Sequence, residues 1–277
     1  MSPTSPLSFA RVNGVNIHHK LFTPPGGGDD GRPVIVLINS LGTDFRIWNT
    51  VIEAIENDWR ILAYDKRGHG LSQAKPFPYA MDDHVDDLLG LLDHLGIDRV
   101  VVAGVSVGGM ISLGLLARAP GRVAGAMLCD TGHRIGTREL WDTRIETAME
   151  QGLHPLAQGT LERWFPEPFR EQYPEQLVGW RAMLTRTTAA GYAGTSAAIR
   201  DADFTEAAGH VAVPVLCITG EHDMATPTEL GRELAGLIPG AEFAQVDGAG
   251  HLPMIDQSAQ LIELMGGFLK KFESGAA

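Results

Sequence analysis

Gly104-Val105-Ser106-Val107-Gly108-Gly109 is the stretch whose reading decides the fold. Ahead of it, Val100–Val105 is an apolar, β-branched run of the kind a strand buried on both faces requires, and behind it Val107–Ala119 reads as a helix. A serine flanked by glycines on a strand–turn–helix junction has the G-x-S-x-G pattern of a nucleophile elbow. The turn is so tight that a side chain at Gly104 or Gly108 is expected to strike neighbouring backbone. The same tightness forces Ser106 into a strained conformation and lifts its hydroxyl over the sheet edge.

Working outward, strands and helices take turns on both sides of this junction. Phe9–Val12 and Ile17–Phe22 are expected as strands joined at Asn13-Gly14, a strong hairpin signal. The Pro/Gly-rich segment Thr23–Pro33 follows as a surface loop. Val34–Ile38 is a buried strand, Phe45–Glu56 a helix, Arg60–Tyr64 a strand and Met81–Leu95 a helix with Leu88, Leu91, Leu92 and Leu95 on one stripe. After the strand Val123–Leu128 the rhythm breaks. From about Arg134 to Ala208 only helical segments appear, punctuated by Pro155, Pro166, Pro168 and Pro174. Alternation returns with Val215–Ile218, Thr228–Leu237, Phe243–Val246 and Ser258–Phe272. Such alternation implies a mostly parallel sheet flanked by helices. Residues 1–133 and 209–277 are expected to form that core, and 134–208 a helical cap inserted after the sixth strand, over the edge where such sheets place their sites.

A serine hydroxyl needs a base. Of the 10 histidines, His251 is the choice, because Asp247-Gly248-Ala249-Gly250-His251 is a glycine-rich loop after the last strand, able to curl back over the elbow. His69 is assigned a structural or substrate-side role, and His133 a place lining the pocket. His18, His19, His84, His94, His154, His210 and His222 are expected at the surface or at interfaces. Two carboxylates compete to orient the base: Asp223, in Gly220-Glu221-His222-Asp223, and Asp130, after the earlier strand. Both fit the chain order serine, acid, histidine, and the turn-rich setting halted by Pro227 favours Asp223. It would accept the His251 Nδ1 proton and fix the tautomer. The oxyanion donors are expected to be the N–H groups of Val107 and Leu41, the latter in Asn39-Ser40-Leu41-Gly42.

Composition narrows the rest. The chain has 277 residues, 44% hydrophobic and 20% charged, enough for a sizeable core without staples. A net charge of −12 with no block of like charge argues against nucleic-acid partners and anionic membranes. Cys129 and Cys217 sit in apolar runs and read as core thiols, although a disulfide between them stays open. No metal-ligand spacing and no phosphate-cradling glycine loop is visible, so neither metal nor cofactor is expected. Met1–Ser8 has no basic-then-apolar pattern and no apolar run is long enough to span a bilayer, which leaves the cytoplasm as the default expectation. Nothing in the sequence fixes an oligomeric state.

On the elbow, Asp65–Ser72, Asp223 and His251, the chain from about Phe9 to Phe272 resembles the α/β-hydrolase superfamily. Within it, the chain is similar to the 3-oxoadipate enol-lactonases. That narrower resemblance rests on Asn39-Ser40-Leu41-Gly42-Thr43 with Trp48, on Arg134-Ile135-Gly136-Thr137 with Trp141 and Arg144-Ile145, and on Arg163-Trp164-Phe165, Arg181-Ala182-Met183-Leu184, Gly191-Tyr192 and Ala198-Ile199-Arg200-Asp201. It implies a small-molecule ester or lactone substrate, opened through an acyl-enzyme. Beside it, the segment 134–208 carries eight Arg and no Lys, as suits a carboxylated substrate. Trp141 is expected to pack on the lactone ring, with Arg134 or Arg144 meeting the carboxylate. A simple carboxylesterase, an acyl-homoserine lactonase or a carbon–carbon bond hydrolase would share the triad. A cofactor-free perhydrolase or dioxygenase, or a ligand receptor, are more distant alternatives.

Overall fold

The computed structural model describes residues 8–27 and 31–273. The reading of Met1–Ser8 therefore lies, but for Ser8, outside the described residues, as does Gly28 of the glycine-rich loop. The strands are β1 (Ser8–Val12), β2 (Val15–Phe22), β3 (Val34–Ile38), β4 (Ile61–Tyr64), β5 (Val100–Val105), β6 (Val123–Cys129), β7 (Val215–Gly220) and β8 (Glu242–Val246). The helices before the insertion are α1 (Asn49–Ile55), α2 (Met81–His94) and α3 (Val107–Arg118). Between β6 and β7 come α4 (Arg138–Gln151), α5 (His154–Trp164), α6 (Glu167–Gln172), α7 (Pro174–Arg186), α8 (Ala189–Asp201) and α9 (Thr205–Ala208). The chain closes with α10 (Thr228–Leu237), α11 (Pro253–Asp256) and α12 (Ser258–Leu269).

All eight strands form one sheet in the order β1-β2-β4-β3-β5-β6-β7-β8. β1 pairs with β2, and β2 with β4, in antiparallel register; every other pairing is parallel. β3, β5 and β6 are buried along their whole lengths, because helices cover both faces. The expected helix Phe45–Glu56 is in fact a 3₁₀ turn, Phe45–Trp48, running into α1. The Asp44 side chain accepts the Arg46 N–H and tightens that first turn. Cys129 and Cys217 are free and buried, so no disulfide joins them. Among the described residues no helix is long and apolar enough to cross a membrane.

Packing at the elbow is backbone against backbone. A Cβ at Gly104 would sit 2.2 Å from the Gly108 carbonyl oxygen, and one at Gly108 would sit 2.4 Å from that of Ile38. Neither neighbour is a side-chain tip that can swing away. Gly104→Ala and Gly108→Ala are each expected to cost about 3 kcal/mol of stability, read from urea denaturation midpoints. A loss below about 1 kcal/mol would show that the turn relaxes more readily than its packing indicates.

Candidate active site

Ser106 sits between β5 and α3 with φ +59° and ψ −119°, a left-handed strain that an L residue adopts only when its surroundings impose it. Here they do. The Ser106 N–H donates to the Cys129 carbonyl at 3.0 Å. The Ser106 carbonyl accepts the Thr131 hydroxyl at 2.7 Å and the Gly109 N–H at 2.9 Å. Val107 opens α3, so its N–H is one of the first-turn groups with no partner inside the helix. Leu41 lies in the loop after β3, which α7 and α8 cover. A Cβ at Gly42 would meet Leu184 at 2.4 Å and Tyr192 at 3.5 Å.

His251 and Asp223 are brought together. The His251 Nδ1 lies 2.8 Å from Asp223 Oδ2, with both side chains buried. On its other side, His251 Nε2 comes within 3.5 Å of the Ser40 hydroxyl. Asp223 follows β7 and Ser40 follows β3; the strand order puts the end of β5, carrying Ser106, between these anchor points. The backbone N–H of His251 donates to the Trp164 carbonyl at 2.9 Å, so the C-terminus of α5 ties down the histidine loop. Burial works against the Asp223 carboxylate, but His251 and Thr226 outweigh it and hold its pKa below the ordinary range.

Asp130, the rival acid, is also present, and its role differs. It is fully buried at φ +44°, and its Oδ1 accepts the Gly220 N–H at 2.7 Å. Burial, then the charge of Asp223, pushes its carboxyl well above the usual range, and its Oδ2 is buried without a hydrogen-bond partner. Of the two, Asp130 is the one whose charged form burial disfavours, while Asp223 keeps His251 and Thr226 as partners. Thr226, which sequence reasoning missed, joins the group. Its hydroxyl lies 2.6 Å from Asp223 Oδ2 and 2.7 Å from the Asp130 carbonyl. Ligand atoms of Asp130, Asp223 and His251 fall within 4.8 Å of one another. Asp223 and His251 are engaged with each other, and Asp130 with the Gly220 N–H.

The expectations for the helical insertion fare unevenly. Arg134 is about two-thirds exposed and faces Asp203 at 3.6 Å, so it is drawn to a surface carboxylate rather than into the site. Arg144 is half-buried, stacks its guanidinium 5.0 Å from the Trp141 ring centroid, and its charge, like that of Arg163, acts on the buried Tyr192. Trp141 is buried with its indole N–H committed to the Ile135 carbonyl at 2.6 Å, which makes it a seat for Arg144. His133 is half-buried and its carbonyl accepts the Phe204 N–H. Arg163, named at the sequence level only in the family stretch, is half-buried; burial and the nearby charge of Arg144 both lower its pKa. Among the described residues neither Arg144 nor Arg163 has a carboxylate within ion-pair distance.

Three histidines placed at the surface or at interfaces are buried instead: His18, His19 and His84. β2 is paired on both edges, and this turns His18 inward to Asp65, with Nδ1 2.7 Å from Oδ2. His69 is buried too, its Nδ1 3.1 Å from the Arg67 carbonyl, which assigns it to the loop's own structure.

A strained serine and a buried carboxylate–imidazole pair at one sheet edge are groups that acyl transfer uses. Residues 33–154 match the family model described as alpha/beta hydrolase fold, and residues 190–274 match the one described as TAP-like protein. The chain is 31% identical to 3-oxoadipate enol-lactonase 2 of Acinetobacter baylyi, over 88% of this chain and 91% of that protein. The crystal structure of the enol-lactonase from Burkholderia xenovorans LB400 superposes with a TM-score of 0.91 at 37% identity, covering 95% of this chain and all of that one. A hydrolase from Pseudomonas aeruginosa follows with a TM-score of 0.89 at 32% identity, covering 95% and 98%. The chain belongs to the α/β-hydrolase family of enzymes. Within that family it is similar to the enol-lactonases.

Proposed function

We propose that this enzyme is a carboxylic-ester hydrolase that opens a small carboxylated lactone, with 3-oxoadipate enol-lactone as the substrate that fits best. The observation that carries the chemistry is His251, held by Asp223 on one side and reaching toward Ser40 across the end of β5. Ser106 Oγ attacks the lactone carbonyl while His251 Nε2 takes its proton. The N–H groups of Leu41 and Val107 meet the oxyanion, and Asp223 stabilises the imidazolium. Collapse breaks the ring C–O bond; the enolate leaves, is protonated and tautomerises to the ketone. His251 then deprotonates a water that attacks the acyl carbonyl, releasing the free acid and Ser106.

The carboxylated substrate is supported by Arg144 and Arg163, two half-buried cations near Tyr192 without carboxylate partners among the described residues. The names of the enol-lactonases that the chain resembles agree with it. Arg144→Ala and Arg163→Ala are each expected to raise KM for the enol-lactone by about 10- to 100-fold, the worth of one hydrogen bond to a charged group. KM for neutral esters is expected to stay within about twofold, and Arg134→Ala to leave both substrates unaffected. Consumption of the lactone is followed by ultraviolet absorbance beside a panel of p-nitrophenyl esters. Faster turnover of the neutral esters, indifferent to both cap arginines, would reduce the reading to a simple esterase.

A further inference from the structure

Lys66 is an unusual residue for the interior. It follows β4 in Asp65-Lys66-Arg67-Gly68, is 1% exposed, and among the described residues has no carboxylate within ion-pair distance. Its ammonium group donates instead to the carbonyl oxygen of Ser40. Asp65 and Asp44 face it, but each is engaged elsewhere. Asp65 binds His18 and accepts the N–H groups of Phe45 and Leu71, while Asp44 forks onto Arg46. On the other side stand the buried imidazoles of His69 and His84, both pushed toward their neutral forms by burial and by the charge of Lys66 among others. Burial drives the Lys66 pKa well down, against the pull of Asp65 and Asp44.

The Ser40 carbonyl is half of the peptide unit whose other half is the Leu41 N–H, one of the two oxyanion donors in the proposed mechanism. In a trans peptide the two groups point in opposite directions from one plane. That carbonyl also accepts the Thr43 hydroxyl at 2.9 Å and the Thr43 N–H at 3.3 Å. The Asn39 side-chain amide donates to it as well, at 3.4 Å. With its oxygen held from four donors, the plane cannot rotate, and the Leu41 N–H stays aimed away from Lys66. The Lys66 hydrogen bond to the oxygen does more than fix direction. It draws electron density through the amide, raises the double-bond character of C–N, and leaves the N–H a stronger donor.

We infer that Lys66 is a positioning residue for the oxyanion hole, acting through the Ser40–Leu41 peptide to orient and polarise the Leu41 N–H. It rests on the proposed serine mechanism and adds to it a reason for a buried lysine that touches no substrate. An interaction felt through a transition-state donor lowers kcat when removed and leaves ground-state binding alone. A lysine that merely ties two loops together would lower stability instead.

The test compares Lys66→Met, which keeps the length and apolar stem, with the parent enzyme on p-nitrophenyl acetate, alongside the rate of Ser106 labelling by a fluorophosphonate. Lys66→Met is expected to lower kcat by about 10- to 100-fold, part of the ~10²–10³ that a whole oxyanion donor supplies. KM should stay within about twofold, and labelling should slow by a similar factor. Thr43→Val, which removes a neutral donor from the same carbonyl, is expected to lower kcat by only about threefold; it keeps the idea testable if Lys66→Met does not fold. Unchanged kcat per folded molecule in either variant, or a loss confined to KM or to melting temperature, overturns the inference. Ser106→Ala separates the two levels: if it stays active, the serine mechanism itself fails. If it is inert while Lys66→Met turns over normally, only the role of Lys66 is lost.

Discussion

Ser106→Ala is expected to lower kcat on the order of 10⁶-fold while leaving the fold intact. A serine acting as nucleophile within a triad is not replaced by its neighbours, and removing it alone costs about as much as removing the whole triad. The substitution deletes one oxygen from a residue whose backbone bonds to Cys129, Thr131 and Gly109 are all main-chain on the Ser106 side. The strained φ of +59° is therefore imposed equally on alanine. Intact-mass analysis after fluorophosphonate treatment should show one adduct on the parent chain, mapping to Ser106, and none on the variant. Persistent turnover, or an adduct on another residue, would remove Ser106 from the mechanism.

Two neighbouring aspartates should answer the same substitution in opposite ways. Asp223→Asn is expected to lower kcat about 10⁴-fold, because an amide facing His251 Nδ1 favours the wrong tautomer. Asp130→Asn should keep kcat within about tenfold of the parent, since burial and the charge of Asp223 favour its neutral form and a neutral amide can still accept the Gly220 N–H. Stability supplies the second readout. A carboxyl whose folded pKa lies above its unfolded value binds its proton more tightly in the folded state. Its stabilising contribution is whole below the unfolded pKa and is lost as pH rises through the folded one. For Asp130 that window opens at the ordinary carboxylate range and extends well upward. Asp130→Asn should therefore flatten the fall in stability between pH 4 and pH 8 seen by urea denaturation. Asp256 belongs to the same window: burial lifts its carboxyl to about 7 although it accepts the Gly250 N–H beside His251. A 10⁴-fold loss in Asp130→Asn, with Asp223→Asn nearly unaffected, would exchange their roles.

Much of this enzyme is written locally. The β-branched runs of β3 and β5, the apolar run of β6 and the glycines of the elbow announce a parallel sheet with a strained serine at its edge, because burial on both faces and a tight turn each admit few residue types. The order of strands and helices, and the helical stretch between β6 and β7, follow from periodicity in the same way. What sequence left open is how side chains point once distant segments meet. Asp130 and Asp223 both end strands at the same edge; only the backbone of Asp130, turned to positive φ with its carboxylate on the Gly220 N–H, leaves Asp223 to His251. Arg134 and Arg144 have similar sequence credentials, yet Asp203 draws one outward while Trp141 seats the other beneath the helices. His18 and Lys66 look like surface residues until β2 pairs on both sides and the loops after β3 and β4 close on each other. Propensity and pattern are properties of short windows, so the sequence could carry the scaffold and the serine. Charge pairing and desolvation are properties of neighbours brought from far along the chain, so only the folded molecule decided which carboxylate pairs with His251 and which arginines are left without a carboxylate among the described residues.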